Sequence, residues 1–291
     1  MNYTKILITI FILFSFALKA QVVNNVRFEQ VGKQINIYYD LQGEVTYNIS
    51  IYCSEDNGES YGNVLIYVTG AVGEDQKSGI NKMIVWDVLK ETKKLSGDIN
   101  FKVEVNPLSG YFIDKRDGKK YKWVRIGEQV WMAENLNYST NDSWCYDNKK
   151  TNCDKFGRLY SWEAAKKACP SGWHLPSDDE WKQLEMTLGM SQSDAGELGW
   201  HGTDEGKKMK STIGWNKNGN GTNSSGFNAL PGGDRGSSGS FYDLGSSGYW
   251  WSSSERSGTD AWSRRLRYDL DQVYRGNSFK ARGFSVRCLK D

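Results

Sequence analysis

Five cysteines, two histidines and a late concentration of aromatic and arginine side chains are the residues whose types and spacing could do chemistry in this chain. Four cysteines, Cys145, Cys153, Cys169 and Cys288, fall after residue 140, and Cys53 lies far upstream. The simplest arrangement pairs the four and leaves Cys53 free. Cys145 and Cys153 bracket a short Asp/Asn/Lys loop and could close locally, but four cysteines allow three pairings and spacing does not choose among them. His174 and His201 are too few for a site that needs three imidazoles, and His174 reads as a packed imidazole at the entry to a helix. No Gly-x-Ser-x-Gly elbow marks a serine nucleophile. Asp147, Asn148, Asn152 and Asp154 offer oxygens of the kind calcium takes, yet they read as a solvated turn. No metal or cofactor is expected, and no residue stands out as a nucleophile or base.

The strongest local signal is a surface one. Tyr249, Trp250, Trp251, Trp262, Arg264, Arg265, Arg267, Tyr268, Tyr274 and Arg275 crowd the last fifty residues. Aromatic rings with arginine are the mixture enriched at protein interfaces, and flat rings also stack on sugars. Strand alternation must bury about half of the set, either Trp262, Arg264, Leu266 and Tyr268 or the opposite face. Asp269 and Asp271 are near enough in sequence to pair with the arginines. Carboxylates are plentiful enough for a glycoside-cleaving pair, whose separation the sequence does not define.

The elements that must position these residues follow from composition. The 291 residues carry a net charge of +2, which gives no basic surface for nucleic acid. Gly 31, Trp 12 and Pro 4 point to turn-dense β structure rather than a helical bundle. Residues 1–20 have one early cation, Lys5, then an apolar run from Ile6 to Leu18 ending at Lys19-Ala20-Gln21. That run is too short to span a bilayer and fits a signal peptide cleaved after Ala20. The mature chain is therefore expected to be exported, secreted or in the cell envelope, without a membrane span and with paired cysteines.

Residues 21–106 alternate every second position. Ile35, Ile37, Tyr39 and Leu41 share one face; Val45, Tyr47, Ile49, Ile51 and Cys53 share another. About six short strands with Gly/Asp/Asn turns predict an immunoglobulin-like β-sandwich, in which Cys53 is a buried free thiol. Ser54–Tyr61 resembles the Asp-box of sialidase-like propellers, but a single copy reads as a hairpin turn. Pro107-Leu108-Ser109-Gly110 breaks the alternation and is taken as a linker, residues 107–110. Residues 111–291 predict an α+β domain. It has a hairpin over Tyr121–Ile126 and Gln129–Met132, and one helix within Tyr160–Cys169. A second helix is opened by a capping box, Ser177 with Glu180, and closed at Gly189. Long Gly-rich loops run from Gly196 to Gly248. Three strands close the chain: Tyr249–Ser253, Ala261–Tyr268 and Gly283–Leu289. In the last, Phe284, Val286 and Cys288 face one way and Ser285 and Arg287 the other.

Six ordered blocks then give a resemblance. They are Val130–Tyr138 (VWMAENLNY), Gly157–Tyr160 (GRLY), Cys169–Ser177 (CPSGWHLPS), Gly226–Gly233 (GFNALPGG), Tyr249–Ser253 (YWWSS) and Gly283–Cys288 (GFSVRC). From about residue 111 to the end the chain resembles the Fibrobacter succinogenes major paralogous domain family. The family's pattern is similar to the C-type-lectin-like and formylglycine-generating-enzyme-like fold group. The resemblance implies an exported bacterial protein and a long-range Cys169–Cys288 disulfide. It also implies a loop-rich side, with the late strands, that carries a ligand. The calcium-binding motifs of C-type lectins do not occur, and the four late cysteines read as structural rather than as a copper-holding pair.

The reading that results is a non-enzymatic, exported binding or adhesion module. It would recognise a glycan or surface protein through Tyr249, Trp250, Trp251, Trp262, Arg264, Arg265, Tyr268, Tyr274 and Arg275. An extracellular carbohydrate hydrolase with an unidentified carboxylate pair is the alternative.

Overall fold

The computed structural model describes residues 22–92 and 94–291; the expected signal segment lies outside them. The chain divides into two compact units, the second running from Pro107 onward and taking in Val45–Tyr47.

The first unit holds two sheets. Strands Val23–Val31, Gln34–Leu41, Gly79–Asp87 and Val68–Gly70 form one in that order; Gly73–Gln76, Tyr47–Ser54 and Asn100–Pro107 form the other. The period-two pattern is realised directly, because Ile35, Ile37, Tyr39 and Leu41 are buried, as are Tyr47, Ile49 and Ile51. The sheets meet through rings: Phe101 lies 5.1 Å from Phe28 and 5.9 Å from Trp86. The Ser54–Tyr61 segment is the turn its sequence suggests. Ser54 Oγ accepts from Gly58 N, and Asp56 accepts from Ser54 Oγ and Ser60 N. Those bonds hold the Asp56 carboxyl down at about 2.

Two expectations need correction. Residues 107–110 are not a loose linker: Pro107 ends one strand, Ser109–Ile113 is the next, and only Leu108 lies between. The broken alternation marks a change of sheet. The second unit also has more than two helices. Among its described residues are Lys150–Phe156, Trp162–Ala168, Asp178–Thr187, Gln192–Ala195 and Glu205–Met209. Those missed are seven residues or shorter, too brief for a 3.6-residue period to register.

The second unit is built on two sheets. The smaller has the order Trp173–His174, Leu289–Lys290, Gln129–Met132, Lys120–Ile126, Ser109–Ile113. The larger runs Ser143–Trp144, Leu159–Tyr160, Phe284–Ser285, Ser247–Glu255, Asp260–Arg267, Val273–Phe279, Gly199–His201. Gly232–Arg235 pairs with Ser247–Glu255 on one side and with Phe241–Leu244 on the other. Strand Val273–Phe279 was not among the expected strands. Gly276 is there for Tyr274, whose ring lies over it; a Cβ at Gly276 would sit 2.6 Å from that ring.

Each side of the larger sheet carries a core. One cluster contains Trp131, Trp181, Leu184, Phe227, Trp250 and Leu266; the other contains Tyr160, Trp162, Leu175, Trp251, Phe284 and Cys288. Helix Asp178–Thr187 supplies Trp181 and Leu184 to the first, and its capping box forms as the sequence predicts. Helix Trp162–Ala168 supplies Trp162 and Ala165 to the second. The closing segment Phe284–Leu289 is buried on both of its faces, not one. The Gly-rich stretch is pinned by buried polar groups as well as rings. Lys210 Nζ donates to Arg267 O and Leu270 O, and Trp215 Nε1 donates to Ser211 Oγ and Ala229 O.

Candidate binding face on the late-strand sheet

Strand register sorts the expected site residues into two sets. Trp250 pairs with Arg264, and Arg264 with Arg275. One step along, Tyr249 pairs with Arg265, Arg265 with Tyr274, and Tyr274 with Trp200. Neighbouring rows of a sheet point to opposite faces, so the two rows have opposite fates.

The first row is interior. Trp250 is fully buried, and Arg264 and Arg275 are 1% and 7% exposed. Arg264 donates from Nε to Glu185 Oε1 at 2.5 Å and from Nη1 to Asp178 Oδ1 at 2.7 Å. Arg275 donates from Nη2 to Asp178 Oδ2 at 2.6 Å and from Nη1 to Gly196 O at 3.0 Å. Burial alone would raise the Asp178 carboxyl, but Arg275 and Arg264 override it and hold it well below the usual carboxylate range. His201 Nε2 lies 3.5 Å from Glu185 Oε2, at the edge of this cluster. Trp250, Trp251, Arg264 and Arg275 are therefore framework, not a surface. Trp251 stacks on Phe284 at 4.3 Å and donates to Tyr160 O. Trp262 is partly exposed and lies under the Arg275 guanidinium at 4.0 Å, on the inward side. Tyr268 packs at the strand end, where Lys217 Nζ donates to its hydroxyl.

The second row is partly exposed along its length. The Arg265 guanidinium lies 4.9 Å from the Tyr249 ring and 5.8 Å from Trp200; Arg267 lies 5.3 Å from Trp200. Trp200 and Tyr274 meet edge to face at 5.2 Å. Tyr249 stacks on buried Phe284 at 5.0 Å, and Arg282 lies over that ring. Burial, then donation to Asp243 Oδ2 at 2.6 Å, pushes the Tyr249 hydroxyl well above its ordinary value. Next to this row Asp234 is buried and bonded to Arg282 at 2.5 Å, and burial raises its carboxyl. Its Oδ1 has no hydrogen-bond partner among the described residues. Arg235 lies 4.0 Å over Trp144. Trp200 is not among the residues the sequence singles out; its strand, Gly199–His201, is three residues long, and only the register reveals its neighbours.

The remaining groups are structural. The disulfides are Cys145–Cys153 and Cys169–Cys288, as the resemblance implied for the latter. Cys53 is free and half-buried, with its thiol pushed up to about 11 by burial, which leaves it unreactive. In the Asx-rich loop, Lys150 Nζ holds Asp154 and Asn152 donates to Tyr146 O. Asp147 and Asn148 adopt positive φ. Among the described residues no group of three or more His, Cys, Asp or Glu is placed to hold a metal ion, and no helix is long and apolar enough to cross a membrane.

The sequence blocks meet at Arg287, which is fully buried. It donates to Asn135 Oδ1 at 2.8 Å, to Met132 O at 3.1 Å, to Phe227 O, and to Asn228 O at 2.9 Å. Asn135 in turn accepts from Trp250 Nε1 at 2.9 Å and donates to Phe156 O at 2.7 Å. These bonds tie Val130–Tyr138, Gly226–Gly233, Tyr249–Ser253 and Gly283–Cys288 together. Among the residues of the exposed row, Trp200, Arg265 and Tyr274 lie outside every block. No curated protein and no solved structure was found to match the chain. The model of the family described as the Fibrobacter succinogenes major domain matches residues 124–290, more than half of the chain and the span that holds all six blocks. The chain belongs to the Fibrobacter succinogenes major domain family.

Proposed function

We propose that this chain is an exported, non-enzymatic binding module. In this reading an immunoglobulin-like sandwich precedes a lectin-like domain, and that domain recognises a glycan or protein ligand. The observation that carries it is the register row Tyr249–Arg265–Tyr274–Trp200, partly exposed on one face while the adjacent row is locked into the interior. The family blocks supply the scaffold and most of the row lies outside them, which is the division expected where function sits on a shared fold. Two disulfides suit an oxidising compartment. Asp178 and Glu185, two buried carboxylates that share Arg264, are held as its ion-pair partners, so they are poorly suited to the acid–base work of the hydrolase alternative.

The test is binding of the full chain to panels of immobilised glycans and envelope proteins, with a Trp200→Ala/Arg265→Ala variant alongside. Capture by a ligand and its loss in a variant that still melts cooperatively is expected. Turnover of a polysaccharide, abolished in Asp234→Asn, would replace this reading with the hydrolase.

A further inference from the structure

We infer that the exposed row takes a neutral, extended glycan chain, an inference that rests on the binding-face reading above. The side chains form a strip of cations and rings: Arg282 and Tyr249 both lie on buried Phe284, Tyr249 lies against Arg265, and Arg265 against Trp200. Arg267 and Tyr274 flank Trp200. An elongated strip suits a chain-like ligand better than a small compact one.

Charge decides which chain. Three of the guanidiniums already hold a carboxylate of the same unit. Arg282 bonds Asp234 at 2.5 Å, Arg267 bonds Asp269 at 2.5 Å, and Arg265 lies 3.5 Å from Asp243. With Arg235 beside them, four arginines face three aspartates, leaving a single net positive charge. A polyanion would have to displace those aspartates, at the cost of leaving carboxylates unpaired beside it. A neutral sugar has no such conflict.

Each arginine–aspartate pair sets N–H donors beside carboxylate acceptors. Neighbouring hydroxyls of a sugar ring both donate and accept, so they match a pair without breaking it. Between the pairs, Tyr249, Tyr274 and Trp200 provide apolar ring surface for the sugar's C–H faces. None of the strip's named residues is aliphatic, so it lacks the aliphatic centre that would favour a protein partner.

Affinity electrophoresis of the full chain tests this. Soluble neutral polysaccharides (mixed-linkage glucan, xylan, mannan) are compared with polygalacturonate and alginate, at roughly 50 and 500 mM salt so that exposed charge interactions are differently screened. Retardation by at least one neutral chain, changed less than about twofold by salt, is expected. Trp200→Ala and Tyr274→Ala should each weaken it about tenfold, which is the loss of about 1.4 kcal/mol, while melting stays unchanged. Retardation by the acidic chains alone, collapsing at high salt, would overturn the neutral-ligand inference and leave the binding face standing. Retardation that survives both substitutions would remove the face itself, and retardation by none of the polysaccharides would sink the glycan inference and return the face to a protein ligand.

Discussion

Arg264 and Arg265 are consecutive residues whose guanidiniums lie on opposite sides of one strand. Arg264 is 1% exposed and bonded to Asp178 and Glu185 from helix Asp178–Thr187. Arg265 is partly exposed, bonded to Ser247 Oγ at 3.0 Å and set between Tyr249 and Trp200. The same side chain thus serves as an internal tie at one position and as a surface group at the next. The separation is imposed by the two-residue period of the strand.

The two should respond differently to truncation. Arg264→Met leaves Glu185 without its guanidinium and Asp178 with one fewer, and breaking a buried pair costs about 3–5 kcal/mol. Arg265→Ala removes exposed contacts worth about 1 kcal/mol or less. Urea unfolding of both variants checks this, and equal midpoints would contradict the division of the sheet into an inner and an outer row. The same cluster predicts acid sensitivity. Because the Asp178 carboxyl is held below its unfolded value, its contribution is present above an unfolded pKa of about 3.9 and is lost as pH falls toward the folded one. Asp178→Asn should flatten that limb.

The disulfides should differ in weight. Cys169–Cys288 spans 119 residues and Cys145–Cys153 spans 8. Loop-entropy arithmetic assigns them about 5 and about 2.5 kcal/mol respectively. Cys288→Ser should therefore lower the melting temperature far more than Cys145→Ser. Mass-spectrometric mapping of the oxidised chain should return these two pairs with Cys53 alkylated; any bridge to Cys53 would overturn the pairing.

Much of this framework was legible in the residues themselves. The capping box at Ser177 and Glu180, the Tyr121–Met132 hairpin and the turn at Asp56 are local devices, written within a few positions. The ligand face was only half legible. Alternation announced that Arg264 and Arg265 part company, but not which faces inward, because that depends on helix Asp178–Thr187, about eighty residues upstream, docking on one side. Trp200 escapes the sequence because its neighbours Tyr274 and Arg265 are brought to it by strand register, a relation with no trace in local spacing. Arg287 was placed opposite Phe284 and Val286 correctly, yet its interior position was missed. A charged residue is rarely fully buried, and here four acceptors from two separate segments make it possible.

His174 should make stability fall on the alkaline side. Its Nδ1 lies 2.6 Å from Asp291 Oδ1 and its Nε2 lies 2.9 Å from Glu180 Oε1. With a carboxylate oxygen at each nitrogen, the doubly protonated ring is favoured. Burial would lower its pKa, but Asp291 and then Glu180 raise it above 6.5. A raised folded value means the contribution is complete below the unfolded pKa of about 6.5 and is lost as pH rises through the folded one. Urea midpoints should decline as pH rises above about 6.5, and His174→Gln should remove that decline. A parallel slope in the variant would assign it to other groups.

Arg287 offers the sharpest test of the scaffold. Burial lowers its pKa to about 9, which still leaves the guanidinium charged at neutral pH. Its partners are not acids but the oxygens of Met132, Asn135, Phe227 and Asn228. A lysine keeps the charge but offers three donors from a single point, where the guanidinium offers five in a planar fork. Arg287→Lys must then lose at least one of these four bonds, at about 1–3 kcal/mol for each buried oxygen left unmet. Arg287→Met loses all four bonds, and Asn135 Oδ1 keeps the one from Trp250 Nε1. The ordering wild type, Lys, Met should appear in urea midpoints and in near-ultraviolet circular dichroism of the Trp250 and Phe227 surroundings. If Arg287→Lys unfolds at the wild-type midpoint, charge alone suffices there, and the claim that this guanidinium gathers the separate sequence blocks into one scaffold fails.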